Sequence, residues 1–278
     1  MIKKTVIKKN SRNTVTHTKD TKLSIQFNLD GFSFCIINNS TKETSYFSEY
    51  VFNEKQLTPE SLLKKIEEIF KTDIHLQKDF SSVLVIHQNN LFSLVPNQYF
   101  SEDILSDYLN FNIKTLATDF IAYDDIESIH AKNVYVPYVN INNYLFQNFG
   151  EFEYKHHLTI LIEKLISSNN SNEKKVFVNV SKENYDIVIL QNKELQFSNS
   201  FNFQTKEDFI YYILFTFEQL KLDVEEIALF FTGDIEPESE IYKITYQYIR
   251  NVAFLESNNK IFNELDASKH SNYILLNS

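Results

Sequence analysis

Only three glycines, Gly31, Gly150 and Gly233, occur in 278 residues, against a usual share of roughly 7%. Loops that cradle phosphate need glycine, because backbone amides must approach the anion closely and adopt positive φ. With three glycines so far apart, neither a P-loop nor a GxGxxG fingerprint fits anywhere in the chain. Asparagine, which is abundant, can take left-handed turn positions. It cannot replace glycine where a ligand presses on the backbone.

The length fits one large domain or two lobes of about 100–150 residues each. A hydrophobic fraction of 43% is enough to build a core. No apolar run reaches the roughly 18–20 residues that span a bilayer. Residues 1–19 have no apolar stretch of the kind that marks a secretory signal. The lone cysteine, Cys35, allows no intrachain disulfide and fits a reducing compartment. The expected location is therefore the cytoplasm. Of the net charge of −10, residues 1–19 carry six basic side chains (Lys3, Lys4, Lys8, Lys9, Arg12, Lys19) and no acid. The remainder is strongly acidic, which argues against a nucleic-acid groove. The basic segment reads as a solvated, partly mobile tail, able to touch an anionic partner or the acidic body.

Leu23–Asn28 and Phe32–Ile37 alternate apolar and polar residues around a Leu29-Asp30-Gly31 turn, the pattern of a β-hairpin. A third strand is expected over Thr44–Phe52. Thr58-Pro59 opens a helix with Leu62, Leu63, Ile66, Ile69 and Phe70 on one face. Strands are expected at Ser82–Ile86, Asn90–Val95, near 115–123 and near 133–140. Helices are expected over Ser101–Leu109, Asn142–Phe149 and His157–Ser167. After the polar stretch Ser168–Asn172 the order restarts. Strands are expected at Lys175–Val180, Tyr185–Leu190 and Glu194–Phe201, then a helix from Thr205 to Leu222. A strand over Glu226–Phe231 leads into Thr232-Gly233-Asp234, and a last helix spans roughly 238–249. Three strands, a helix and a strand, repeated after about 150 residues, is a duplicated half-domain with mixed sheets. The expected organisation is a tail over 1–19, a first lobe over 20–170 and a second over 171–278, with a cleft between the lobes.

This order, with Leu23-Ser-Ile-Gln-Phe-Asn-Leu-Asp-Gly-Phe-Ser-Phe-Cys-Ile36 and Tyr154-Lys-His-His157, resembles the actin-like superfamily. Within it the chain is similar to a bacterial group, the domain of unknown function 3822 family. In style it is similar to the cytoplasmic actin-like components of type II secretion and type IV pilus machines. The fold class implied is α/β, a duplicated actin-like (ribonuclease H-like) fold with a mixed sheet and flanking helices in each lobe. The resemblance also implies a nucleotide site. In the superfamily each half opens with a hairpin carrying Asp-x-Gly, whose amides hold phosphate. Here the aspartate positions look like Asn28 and Asn179, with Asp30 and Gly31 in the first turn and Ser181 in the second. The adenosine motif looks like Phe230-Phe231-Thr232-Gly233-Asp234, with one glycine replaced by an acid. Asparagine cannot supply the charge that orients Mg²⁺ or the attacking water. The expectation is a degenerate site, with no catalytic residue, no metal and no cofactor, in a scaffold or adaptor that binds another protein. Two alternatives remain open: a Mg-nucleotide binder or weak ATPase using Asp30 and Gly233, and a small-molecule enzyme with its site in the interlobe cleft.

The remaining polar residues carry blander readings. His156-His157 cannot chelate one ion easily, because adjacent side chains diverge, so a structural or capping role is expected. Cys35 reads as a small core residue. Asp124-Asp125 and Glu225-Glu226 read as exposed charge. With 25 Phe and 16 Tyr, most aromatics must be core. Tyr135, Tyr138 and Tyr144 are expected to form an interaction patch.

Overall fold

A computed structural model of the chain describes residues 6–10, 19–116 and 118–278. The chain forms two compact units. The first comprises the chain up to Ile160 with Asn259–Asp266 and Ile274–Ser278, and the second comprises Leu161–Asn258 with Ala267–Tyr273.

The first unit begins with β1 (Val6–Asn10), β2 (Thr21–Asn28), β3 (Gly31–Asn38), β4 (Thr44–Phe52), α1 (Pro59–Thr72) and β5 (Ser82–His87). The two-residue turn Leu29-Asp30 sets the β2–β3 register, with Asn28 opposite Gly31. Thr58 caps α1 by accepting the Ser61 amide, and Pro59 fills the first turn where no amide is needed. The apolar stripe Leu62, Ile66, Ile69 and Phe70 then packs on Leu23, Ile25, Phe27, Phe32 and Phe34 of the sheet. An inserted segment follows: β6 (Phe92–Pro96), α2 (Leu105–Asn110), β7 (Ala122–Ile126) and β8 (Ala131–Tyr135). These strands form a separate antiparallel sheet, β6-β8-β7, over a small core of Val95, Leu109 and Val134. Then come α3 (Val139–Phe149), β9 (Glu153–His156) and α4 (His157–Ser168), which carries the chain into the second unit. The main sheet has the order β1-β4-β3-β2-β5-β9.

The second unit contains β10 (Lys175–Val180), β11 (Asn184–Gln191), β12 (Glu194–Asn202), α5 (Lys206–Gln219), β13 (Ala228–Gly233), α6 (Glu240–Tyr248) and β14 (Asn251–Phe254), and the chain ends in α7 (Tyr273–Leu276). Its sheet order is β12-β11-β10-β13-β14. This matches β4-β3-β2-β5-β9 strand for strand, with α1 and α5, and α3 and α6, in corresponding places.

Five features depart from the sequence reading. Val6–Asn10, inside the segment read as a tail, pairs antiparallel with β4, Lys9 opposite Glu49; residues 1–5 and 11–18 lie outside the described residues. The strand expected near 115–123 begins only at Ala122, because the stretch before it turns locally, with the Asp119 carboxylate accepting the Leu116 amide at 2.8 Å. The last parallel strands, β9 and β14, were not anticipated. Each has four residues and lies at a sheet edge, too short to show a period. Finally, Asp124 is buried, not exposed. It lies on the inward side of β7, where its carboxylate accepts the Tyr135 hydroxyl at 3.0 Å, the His156 amide at 2.8 Å and the Thr159 hydroxyl at 2.7 Å. Asp125, one residue on, points outward and pairs with Lys132. The expected tyrosine patch is likewise corrected: Tyr135 is fully buried, and Tyr138 and Tyr144 pack against the first core.

Two glycines answer to the packing of strands. A Cβ on Gly31 would lie 2.9 Å from the Tyr50 carbonyl oxygen of β4. At Gly233 φ is +88°, and a Cβ would lie 2.2 Å from the Val180 carbonyl oxygen. Replacing Gly233 with Ala combines a left-handed backbone with a backbone clash, and should destabilise the fold by roughly 2 kcal/mol or more, read as a fall in the urea midpoint. Replacing Asp124 with Ala leaves three buried donors unmet and should cost about 1–3 kcal/mol. Burial raises the Asp124 carboxyl from 3.8 to about 6, against the three hydrogen bonds that favour its charge. The folded chain therefore holds this proton after the unfolded chain has lost it. The stability it contributes is complete below about pH 4 and is lost as pH rises through about 6. Asp124→Asn should flatten that part of the stability profile, measured as urea midpoints across the window.

Candidate functional site

Alternation along the first strand of each repeat decides which side chains can meet a ligand. Leu23, Ile25 and Phe27 of β2 face the first core, as Val176, Val178 and Val180 of β10 face the second. Gln26 and Asn28, and Asn179 and Ser181, therefore lie on the opposite faces.

In the first unit the Asn28 carboxamide oxygen accepts the Asp30 amide at 2.8 Å, closing the turn. Its nitrogen donates to the Gln88 side-chain oxygen at 3.2 Å, and Gln26 donates to the same oxygen at 2.8 Å. The Asp30 carbonyl accepts the Phe52 amide at 2.8 Å. Asn28, Asp30 and Gly31 thus stand together, in a turn knitted to β4 and to the residue after β5.

In the second unit Asn179, Ser181, Gly233 and Asp234 are brought to the ends of β10 and β13, where Val180 is the parallel partner of Gly233. The Ser181 amide donates to the Asn184 carbonyl at 2.8 Å, the Gly233 amide to the His270 carbonyl at 2.9 Å and the Asp234 amide to the Val180 carbonyl at 2.8 Å. Thr232 donates its hydroxyl to that same His270 carbonyl at 2.8 Å. The Asn179 amide nitrogen donates to Asp186 Oδ2 at 3.0 Å, and the Ser200 hydroxyl donates to Asp186 Oδ1.

The repeats align through one shared hydrogen bond. The Gln88 amide donates to the Phe27 carbonyl at 3.1 Å, just as Asp234 donates to Val180. Counted from it, Asn28 corresponds to Ser181, and Asn179 to Gln26. Across the sheets, the row Gln26–Ser33–Glu49 corresponds to Asn179–Asp186–Ser200. Each unit therefore has one carboxylate in this row, Glu49 or Asp186, and sequence reading singled out neither. A signal existed for Asp186: it is the one charge in the apolar strand Tyr185-Asp-Ile-Val-Ile-Leu190.

The other polar candidates are bound into the structure. Burial holds His156 well below its usual range, so it is neutral. Its Nδ1 accepts from Asn133 at 3.0 Å, and its Nε2 meets the Asn89 carbonyl at 3.0 Å. His87, pushed by burial to about 3, bridges the Tyr138 amide at 3.1 Å and Asn142 at 2.9 Å. Cys35 is a buried thiol raised to about 12 by burial, and so carries no thiolate nucleophile at neutral pH. Among the described residues no three His, Cys, Asp or Glu side chains converge as metal ligands.

Known structures share this architecture. A Bacteroides thetaiotaomicron protein of actin-like ATPase fold and unknown function is similar over 87% of this chain and 94% of its own, with TM-score 0.76 and 23% identity. The PilM–PilN type IV pilus biogenesis complex is similar over 92% and 96%, with TM-score 0.59 and 9% identity. The ethanolamine utilization protein EutJ from Carboxydothermus hydrogenoformans is similar over 94% and 89%, with TM-score 0.51 and 5% identity. These likenesses show the fold: α/β, actin-like, with mixed sheets flanked by helices in two lobes. No curated protein sequence matches the chain. The model of one family, described as "Protein of unknown function (DUF3822)", matches residues 10–252, which takes in both repeats, and the chain belongs to that family.

Proposed function

We propose that this chain is a non-hydrolysing actin-like protein of the bacterial cytoplasm that acts as a scaffold or adaptor by binding another protein. The observation that carries this reading is the state of the turn amides. Phosphoryl transfer needs donors and charges already aimed at the phosphate oxygens. At the two turns, the amides of Asp30, Ser181, Gly233 and Asp234 all donate to the protein itself. Binding a phosphate there would break native hydrogen bonds before making new ones.

Charge supports the same reading. At the aligned pairs Asn28 and Ser181, and Gln26 and Asn179, every side chain is neutral where Mg²⁺ would need carboxylate help. Asp186 is buried and already accepts from Asn179 and Ser200. Asp234 adds negative charge at the end of β13. PilM, a protein of this fold, is solved in complex with PilN, so the fold serves protein binding there. The buried Asp186 carboxylate is the one observation that favours the second reading, a Mg-nucleotide binder or weak ATPase.

Thermal unfolding with Mg²⁺ and ATP, ADP or GTP separates the two. A nucleotide at about 100 times its Kd adds roughly 2.7 kcal/mol, a large shift in melting temperature. At millimolar nucleotide the melting temperature should not move, turnover should stay at background, and Asp30→Ala should change neither. Micromolar affinity for Mg-ATP that disappears in Asp186→Asn would establish the second reading.

A further inference from the structure

The two repeats differ most in one connection. In the second unit residues 234–239 carry the chain from β13 to α6, whereas in the first unit residues 88–138 lie between β5 and α3. The second repeat reaches the same strand order without such an insertion, so the fold does not require it. Segments that a scaffold carries without needing them are where binding residues concentrate. This one is built firmly, with its own small core and with Asp124 tying it to the His156 amide and the Thr159 hydroxyl.

Its outer surface combines two properties. Residues 97–127 hold seven acidic side chains and one basic one, Lys114, in a chain with 37 acidic and 27 basic side chains in all. Of these seven acids Asp124 alone is buried. The same stretch exposes large apolar side chains: Phe111 is 89% exposed, Leu116 65% and Phe120 55%. Apolar surface gathered beside one sign of charge marks a binding site more often than chance.

Local structure puts the two properties on one face. Leu105 and Leu109 turn the inner side of α2 onto the small core. Phe111 continues the helical backbone beyond Asn110, so Asp107 and Phe111, four residues apart, look outward together. The Thr115 hydroxyl donates to the Asn110 side-chain oxygen at 2.5 Å, which sets Leu116 beside the end of α2. The Leu116 amide donates to the Asp119 carboxylate, which sets Phe120 beside Leu116.

We propose that this face docks a short basic amphipathic segment of a partner protein. Apolar side chains of the segment would cover Phe111, Leu116 and Phe120, and its lysines or arginines would meet Glu102, Asp103 and Asp107. Area and charge select this occupant. Three side chains exposed to this extent offer roughly 400 Å² of apolar surface. That is well short of the ~1,200 Å² at the low end for a specific interface between folded proteins, and is suited to a single helix or strand. A second copy of the chain would bring the same acids against these, and an anionic membrane surface would be repelled in the same way. The acids steer a basic segment in and reject acidic ones, while the apolar centre holds it. The proposal rests on the adaptor reading only in requiring a protein partner, and nucleotide binding has no bearing on it.

Fluorescence anisotropy of the full chain, without nucleotide, tests it with two labelled peptides of about 18 residues, long enough for five helical turns. Both carry leucine at helical spacing, one with lysine and the other with glutamate at every remaining position. The lysine peptide should bind with micromolar affinity and the glutamate peptide at least about ten-fold more weakly. Phe111→Ser with Phe120→Ser should weaken the lysine peptide by about ten-fold or more. Asp103→Lys with Asp107→Lys should weaken the lysine peptide and strengthen the glutamate peptide, an exchange that a merely structural role would not produce. If the phenylalanine pair loses its native far-ultraviolet spectrum, the aspartate pair decides alone. Equal binding of the two peptides, no binding of the lysine peptide up to high micromolar concentration, or binding that the aspartate pair leaves unchanged would overturn the proposal. So would a dimer of the chain that dissociates in the phenylalanine variant, which would assign the face to a second copy.

Discussion

Phe27 stands beside His87, and Val180 beside Gly233, at the ends of two parallel strand pairs. Much else in each unit hangs on these contacts. A hairpin and a helix form from neighbouring residues, but β2 meets β5 only across a connection of more than fifty residues. Closing that loop costs entropy before any contact repays it. What repays it is burial, because the helix in the connection lays its apolar stripe on the strands it has brought together. The hydrogen bond from the next residue back to the first strand, Gln88 to Phe27 and Asp234 to Val180, fastens the end of each pair. The close fit at Gly233 follows: a strand end held this near its partner leaves no room for a side chain.

That fastening also uses backbone groups at the strand ends, the Asp234 amide donating to Val180 and the Gly233 amide to His270. A backbone amide can grip a phosphate only if the fold leaves it aimed at solvent and unpaired. Here the amides at the turns are spent on closing the turns and joining the strands. Buried polar groups elsewhere follow the same rule. Asp124, His156, Asn133 and Thr159 hydrogen-bond to one another, tying the inserted three-stranded sheet to β9 and the start of α4. A buried carboxylate is costly, and this one is tolerated because three donors surround it. The histidines that a search for metal ligands would pick first are used as neutral hydrogen-bonding struts.

A duplicated unit also contains its own control. Strand for strand the two sheets agree, so a difference between them has meaning that a single sheet could not provide. The first unit carries an inserted sheet after β5 and a covering strand on β4. The second has neither among its described residues.

The amino-acid sequence alone determined the class of fold. Alternation at Leu23–Asn28 and Phe32–Ile37, the Thr58-Pro59 cap and the restart after Asn172 are local signals, and local propensity and patterning are enough to read them. The shortage of glycine was equally legible, and with it the absence of a phosphate loop of the familiar kinds. Tertiary structure decided the remainder. Whether Asp124 faced solvent depended on Tyr135, His156 and Thr159, which are brought to it from other elements. Asn28 and Asn179 were equated by their position near strand ends, but the register of β2 on β5 and of β10 on β13 equates Asn28 with Ser181. Asp186 became part of the site only when β10 and β12 were laid on either side of it. In each case a side chain's partners were set by contacts distant in sequence, and no local pattern encodes which strand will lie beside which.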